Sequence, residues 1–184
     1  MRIAGVRTHI VDTPIPEEHR VRSGAGYKLA RQAAFVEITT DEGISGVGPC
    51  SFGSASLDLG SVATLCDNTF AAALVGEDPR RIEHIWDKIY YGSILRVHGP
   101  RSVGVAILSA IDIALWDLKG KALGAPIFEL LGGAFQDPVP CYSSSVYWDS
   151  PEGAVAQAQA FLDAGFKAFK VKVGLDVEND IACL

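Results

Sequence analysis

Two lysines stand one residue apart in Phe169-Lys170-Val171-Lys172-Val173-Gly174, a short β-branched and aromatic run. In a strand, alternate side chains share a face, so Lys170 and Lys172 project together while Phe169, Val171 and Val173 line the opposite side. Ammonium groups held about 7 Å apart disfavour each other's protonation, and burial would disfavour it further. A lysine in its neutral form is a general base. The same pair on a solvent-facing edge would only deter strand pairing, and a charged pair would hold an anion without chemistry.

The elements around the pair decide between those readings. Val139 to Ser145 reads as a strand, Ser150-Pro151-Glu152 as the capped start of a helix running to Ala164, Gly165 as its stop, and Ala168 to Val173 as the next strand. That order is a β-α-β unit with parallel strands. Asp176 to Leu184 opens a further helix with an acidic first turn. Two parallel strands and one helix cannot cover their own faces, so the pattern predicts further strands than these.

Upstream the grammar differs. Ile3 to Val11, Ala33 to Thr39 and Ile44 to Val47 read as an antiparallel meander, with the turn Thr40-Asp41-Glu42-Gly43 between the last two. A long polar loop, Asp12 to Lys28, separates the first two strands, and a second irregular segment covers Pro49 to Ser56. Helical patterns follow from Leu59 to Leu74, and from Pro79 to Tyr90 with Asp78 as N-cap. The third helix, Ser102 to Leu123, is apolar on nearly every side, and Gly104, Ala106, Ala110 and Ala114 permit close approach, so it should lie between two layers. The pattern predicts an α+β domain over residues 1–137 and, over 138–184, either the first β/α units of a barrel or doubly wound sheet or a segment that packs differently from its pattern.

Sixteen basic and 22 acidic residues give a net charge of −6 with no long run of one sign, which argues against nucleic acid or membrane as partner. Cys50, Cys66, Cys141 and Cys183 are scattered, so neither a zinc site nor a disulfide framework is indicated, and all four read as buried reduced thiols. The N-terminus lacks the apolar core of a leader and no stretch approaches a membrane span, so a cytoplasmic protein is expected. Asp112 and Asp117 sit at different angles of the long helix and read as structural, Asp117 within reach of Lys121. His9, His84 and His98 lack ligand spacing, and Trp86 and Trp116 read as core aromatics.

The stretch Ala110-Ile111-Asp112-Ile113-Ala114-Leu115-Trp116-Asp117-Leu118-Lys119-Gly120-Lys121, then Gly124, Pro126 and Leu130-Leu131-Gly132-Gly133, resembles the mandelate racemase and muconate lactonizing enzyme family of the enolase superfamily. The N-terminal meander, and Ala164-Gly165-Phe166 leading into Lys170-Val171-Lys172, fall where that family has them. The resemblance implies an α+β capping domain followed by a modified TIM barrel, with active-site residues at the C-terminal ends of the strands. It implies Lys172 as the base that removes a proton next to a substrate carboxylate, and Lys170 as its partner and carboxylate holder. Ser144 resembles a serine used near that carboxylate, and His19 and Arg22 fall in a loop that in the family closes over the barrel mouth.

The resemblance also implies Mg²⁺ as cofactor, which stabilises the enediolate. The family's metal ligands would lie beyond Leu184, so a truncated chain, inactive by itself, is expected. Pro49 departs from the family, where an acidic residue is frequent. A small carboxylate substrate and a homo-oligomer are implied for the full-length protein. Acid-sugar dehydration is the leading activity, with racemisation, epimerisation or cycloisomerisation as alternatives. From another class, the alternative is a non-catalytic binding or assembly module.

Overall fold

A computed structural model describes residues 1–17, 22–23, 26–27, 30–50, 58–98, 103–147, 150–174 and 176–183. These fall into two compact units, Met1–Asp12 with Gln32–Ala134, and Thr13–Arg31 with Phe135–Leu184.

In the first unit, β1 (Ile3–Pro14), β4 (Ala30–Thr40) and β5 (Ser45–Cys50) form a sheet in the order β1-β4-β5. Alternation places Ala34, Val36, Ile38 and Thr40 inside. β4 and β5 are antiparallel, with Glu37 opposite Val47. Their turn is closed by Thr40, whose hydroxyl donates to the Ile44 carbonyl at 2.9 Å and accepts from the Ile44 N–H at 3.2 Å. Gly43 takes φ +79° there, a conformation that glycine adopts without steric cost.

Helices cover this sheet. α1 (Leu59–Leu65) runs through a π-turn at Cys66–Phe70 into α2 (Ala71–Leu74), and its start is capped by Asp58, which accepts from the N–H groups of Gly60 and Ser61. α3 (Ile82–Tyr90) buries Ile82, Ile85 and Ile89, one helical stripe. α4 (Ser93–His98), α5 (Val103–Leu123) and α6 (Ile127–Leu130) follow.

The long apolar helix is buried as its composition predicts. α5 packs on β5 with one side and on α3 and α4 with the other, leaving a narrow exposed stripe at Ser109 and Ile113. Close approach is achieved by removing side chains from the strand. A Cβ added at Gly46 would strike the Ala114 carbonyl oxygen, and one at Gly48 the Ala110 carbonyl oxygen. The free edge of β5 is also closed by α5, because Asp117 accepts from the Val47 N–H at 2.9 Å. Lys121 donates to Asp117 at 2.8 Å and to the Ser45 carbonyl at 3.0 Å, the expected i,i+4 pair with an additional strand contact.

The second unit holds a parallel pair, β6 (Ser143–Val146) and β7 (Phe169–Val171), joined through α7 (Pro151–Asp163) and followed by α8 (Val177–Cys183). Ser150 caps α7 by accepting from the Gly153 N–H at 3.0 Å, and Gly165 ends it at φ +92°.

Several expectations are corrected. The helix after Asp78 begins at Ile82, because Asp78 accepts from the Arg80 N–H and from its guanidinium, and a turn forms where the cap was expected. The loop between the first two strands is shorter than read, since β1 extends to Pro14 and β4 starts at Ala30. It also carries a small antiparallel pair, β2 (Arg22–Ser23) and β3 (Gly26–Tyr27). β6 begins at Ser143, not Val139. Cys141 is exposed, whereas Cys50 and Cys66 are buried. Trp86 and Trp116 are half-buried flanks of the core; Trp86 stacks on Tyr90 at 4.4 Å, and Lys119 lies 4.8 Å above the Trp116 ring.

Asp112, half-buried on α5, titrates above the ordinary carboxylate range because burial, and then the charge of Glu83, oppose its ionisation. A raised folded-state pKa means that the native state holds this proton more tightly than the unfolded chain. The contribution to stability is therefore complete at low pH and lost as pH rises through the folded pKa. Asp112→Asn is expected to raise the unfolding midpoint at pH 7 and to leave it unchanged at pH 3. Thermal melts at the two pH values measure this, and a lower midpoint at pH 7 would refute it.

Candidate functional site

The lysine strand is built by parallel pairing with β6. Ser143 lies opposite Phe169, Ser144 opposite Lys170, and Val146 opposite Val171, so β6 spends two residues where β7 spends one. This is a β-bulge. Paired residues of a parallel ladder lie on the same side, which sorts the two strands into two faces. One face contains Ser143, Val146, Phe169 and Val171; α7 packs on β6, and Ser143 and Val146 are buried. The other face contains Ser144 and Lys170, both exposed, with Lys172 next in alternation and also exposed. The bulge thus keeps Ser144 on the lysine face and turns Val146 to the helix-covered one.

The strand ends are held by backbone bonds. Ser143 N–H donates to the Ala168 carbonyl at 2.9 Å and Lys172 N–H to the Val146 carbonyl at 2.9 Å, so the ladder continues to Lys172 itself. Past β6, Gln157 of α7 accepts from the Tyr147 N–H at 3.0 Å and donates to the Tyr147 carbonyl at 2.9 Å, as another strand would. Past β7, the Gly174 N–H donates to both carboxylate oxygens of Asp180, each at 2.9 Å.

The structure therefore brings together three of the residues singled out from sequence: Ser144 lies opposite Lys170 on one exposed face of the parallel pair, and Lys172, next in alternation, lies just past the C-terminal end of β7. A serine hydroxyl beside two amines can hold a carboxylate and exchange a proton with it or with its neighbour carbon. Both lysines are exposed in this chain. His19, the side chain of Arg22 and the second loop over residues 51–57 lie outside the described residues. Sequence reasoning missed Gln157 and Asp180, because a polar type on a helix carries no signal of the main-chain group it meets.

Other titratable groups do not add to this face. His9 pairs with Glu37 at 2.8 Å on the first unit's sheet. Burial pushes the Cys50 thiol up to about 12 and the Cys66 thiol up to about 11, which makes both poor nucleophiles. Among the described residues no group of three or more His, Cys, Asp or Glu side chains comes together to hold a metal ion. The residues present do not by themselves fit a Mg²⁺ site. Among the same residues no helix is long and apolar enough to cross a membrane.

Comparison with known proteins extends the picture. The model of the mandelate racemase / muconate lactonizing enzyme N-terminal domain matches residues 7–132. A D-galactarolactone cycloisomerase of Agrobacterium fabrum is 36% identical over 98% of this chain and 46% of its own length. A D-galactonate dehydratase of Ralstonia nicotianae is 40% identical over 79% of this chain and 36% of its own. The crystal structure of a dipeptide epimerase from Enterococcus faecalis V583, complexed with Mg and the dipeptide L-Leu-L-Tyr, superposes with a TM-score of 0.78 at 29% identity. That superposition covers 100% of this chain and 49% of the epimerase. The chain spans less than half the length of each of these proteins.

Proposed function

Because the chain belongs to the mandelate racemase / muconate lactonizing enzyme family, we propose that the whole protein removes the proton α to the carboxylate of an acid sugar and expels water from the neighbouring carbon. The observation that carries this reading is the face shared by Ser144 and Lys170 in the β6–β7 ladder, with Lys172 next in alternation past the C-terminal end of β7. The dehydratase relative supports the choice of reaction.

On this reading residues 1–137 form the capping domain and 138–184 open the barrel. Lys172 takes the α-proton, as the residue furthest along the strand and nearest its C-terminal end. Lys170 and Ser144, side by side in the ladder, receive the substrate carboxylate, the ammonium by charge and the hydroxyl by donation. His19 and Arg22 reach the distal end of the substrate from the first loop. As the α C–H bond breaks and Lys172 takes the proton, the electron pair forms the new double bond and the β C–O bond breaks, the departing hydroxyl taking up a proton from solvent or a general acid to leave as water, and the enol becomes a keto acid. Mg²⁺ belongs to this proposal through the epimerase complex. No step is routed through it here, because the described residues supply no ligand set.

A second reading, cycloisomerisation of a sugar-acid lactone, is favoured by one observation. The match to the cycloisomerase takes in 98% of the chain, and so the lysine strand itself. Incubating the whole protein with D-galactonate, D-mannonate and D-galactarolactone in D₂O, followed by NMR, separates the two. Dehydration yields a keto acid from an open-chain acid; cycloisomerisation rearranges the lactone without loss of water. If none of the three loses its α-proton, the acid-sugar reading fails.

A further inference from the structure

The two strands that carry the candidate site end in the same way. In each, a polar side chain from the helix that follows reaches back to the main chain just beyond the strand: Gln157 of α7 to Tyr147 after β6, and Asp180 of α8 to Gly174 after β7. We infer that Asp180 is the positioning residue of Lys172, resting on the reading of Lys172 as the base.

Lys172 sits between two fixed points. Its own N–H is committed to the Val146 carbonyl at 2.9 Å, and two residues later the Gly174 N–H is committed to Asp180 at 2.9 Å. Gly174 takes φ +109°, so the chain turns there from the strand direction into α8. Within this chain the residues that lead into the turn, Lys172 and Val173, are exposed. The charged acceptor on α8 is what ties it. Hydrogen bonds to ionised groups are about twice as strong as neutral ones, and placement errors of about 1 Å in a reacting group cost on the order of 10²-fold in rate. With Gly174 released, the backbone on either side of Lys172 gains freedom and the amine loses its fixed line to the substrate carbon.

The test uses the whole protein and three variants: Asp180→Ala, Asp180→Asn and Lys172→Ala. Amide hydrogen exchange of the peptide over residues 169–176 reads the clamp without any substrate, and steady-state kinetics on the acid sugar turned over in the D₂O experiment reads its consequence. Asp180→Ala is expected to speed exchange at least tenfold and to lower kcat about tenfold with KM within twofold. Asp180→Asn, which keeps an oxygen acceptor at the same position, should restore most of both. A purely structural role would not split kcat from KM in this way. Unchanged exchange in Asp180→Ala, or faster exchange with kcat intact, would overturn the inference. Full turnover in Lys172→Ala would instead overturn the reading of Lys172 as the base.

Discussion

Lys172→Ala in the whole protein is expected to lower kcat by about 10²- to 10⁴-fold, the span that a positioned general base contributes. Alanine removes the amine and keeps the backbone, and the Lys172 N–H bond to Val146 needs no side chain. Because Lys172 is exposed in this chain, the substitution should leave the unfolding midpoint nearly unchanged. Lys170→Met should behave differently. It removes charge from the face proposed to receive the carboxylate, so KM is expected to rise, with a smaller fall in kcat. Steady-state kinetics of both variants, with deuterium incorporation at the α-carbon measured in parallel, distinguish the roles. A Lys172→Ala enzyme within tenfold of the parent kcat would remove that residue from the chemistry.

Gly48→Ala is expected to produce the largest loss of stability of any single methyl added to the first unit. The new Cβ would land on the Ala110 carbonyl oxygen, 2.8 Å from the Ala114 nitrogen and 2.9 Å from the Ala110 carbonyl carbon. All three are backbone atoms of α5, which has no rotamer with which to yield. Overpacked substitutions typically cost about 1–3 kcal/mol, and contact with helix backbone puts this one at or above about 3 kcal/mol. Gly46→Ala should follow closely, since its Cβ would sit 2.6 Å from the Leu118 nitrogen. Gly60→Ala is the control. There a Cβ meets only the Asp58 carboxylate, at 3.3 Å, and alanine gains helix propensity. Denaturant titrations of the three variants measure the difference, and a Gly48→Ala protein within about 1 kcal/mol of the parent would contradict direct helix-on-strand contact.

These two results rest on features of unequal legibility. The small residues of α5 were visible in sequence as Gly104, Ala106, Ala110 and Ala114, and two of them face the glycines of Gly46-Val47-Gly48. The β-α-β unit was visible because Ser150-Pro151 and Gly165 punctuate a helix at both ends, and the structure places α7 between those marks. Asp78-Pro79 carried the same kind of signal and misled, because Arg80 claims the Asp78 carboxylate. The isoleucine spacing of Ile82, Ile85 and Ile89 marked the true start. The bulge was not legible at all. Ser143-Ser144-Ser145 are three identical residues, and alternation cannot be read from a run without contrast. The clamps of Gln157 and Asp180 were equally hidden, since a polar residue on a helix does not announce which main-chain group it meets.

The bulge in β6 also acts as a switch of parity. Up to Ser144, odd positions belong to the helix-covered face and even positions to the lysine face; at Val146 an even position belongs to the covered face. A sequence alignment that slips by one residue across the serine run therefore sets a core valine against a residue of the lysine face. Deleting Ser145 would restore simple alternation while leaving Ser144 opposite Lys170 and the valine opposite Val171. Comparisons of this face among relatives are consequently best anchored on the lysine strand, with β6 counted outward from the Ser144–Lys170 pair.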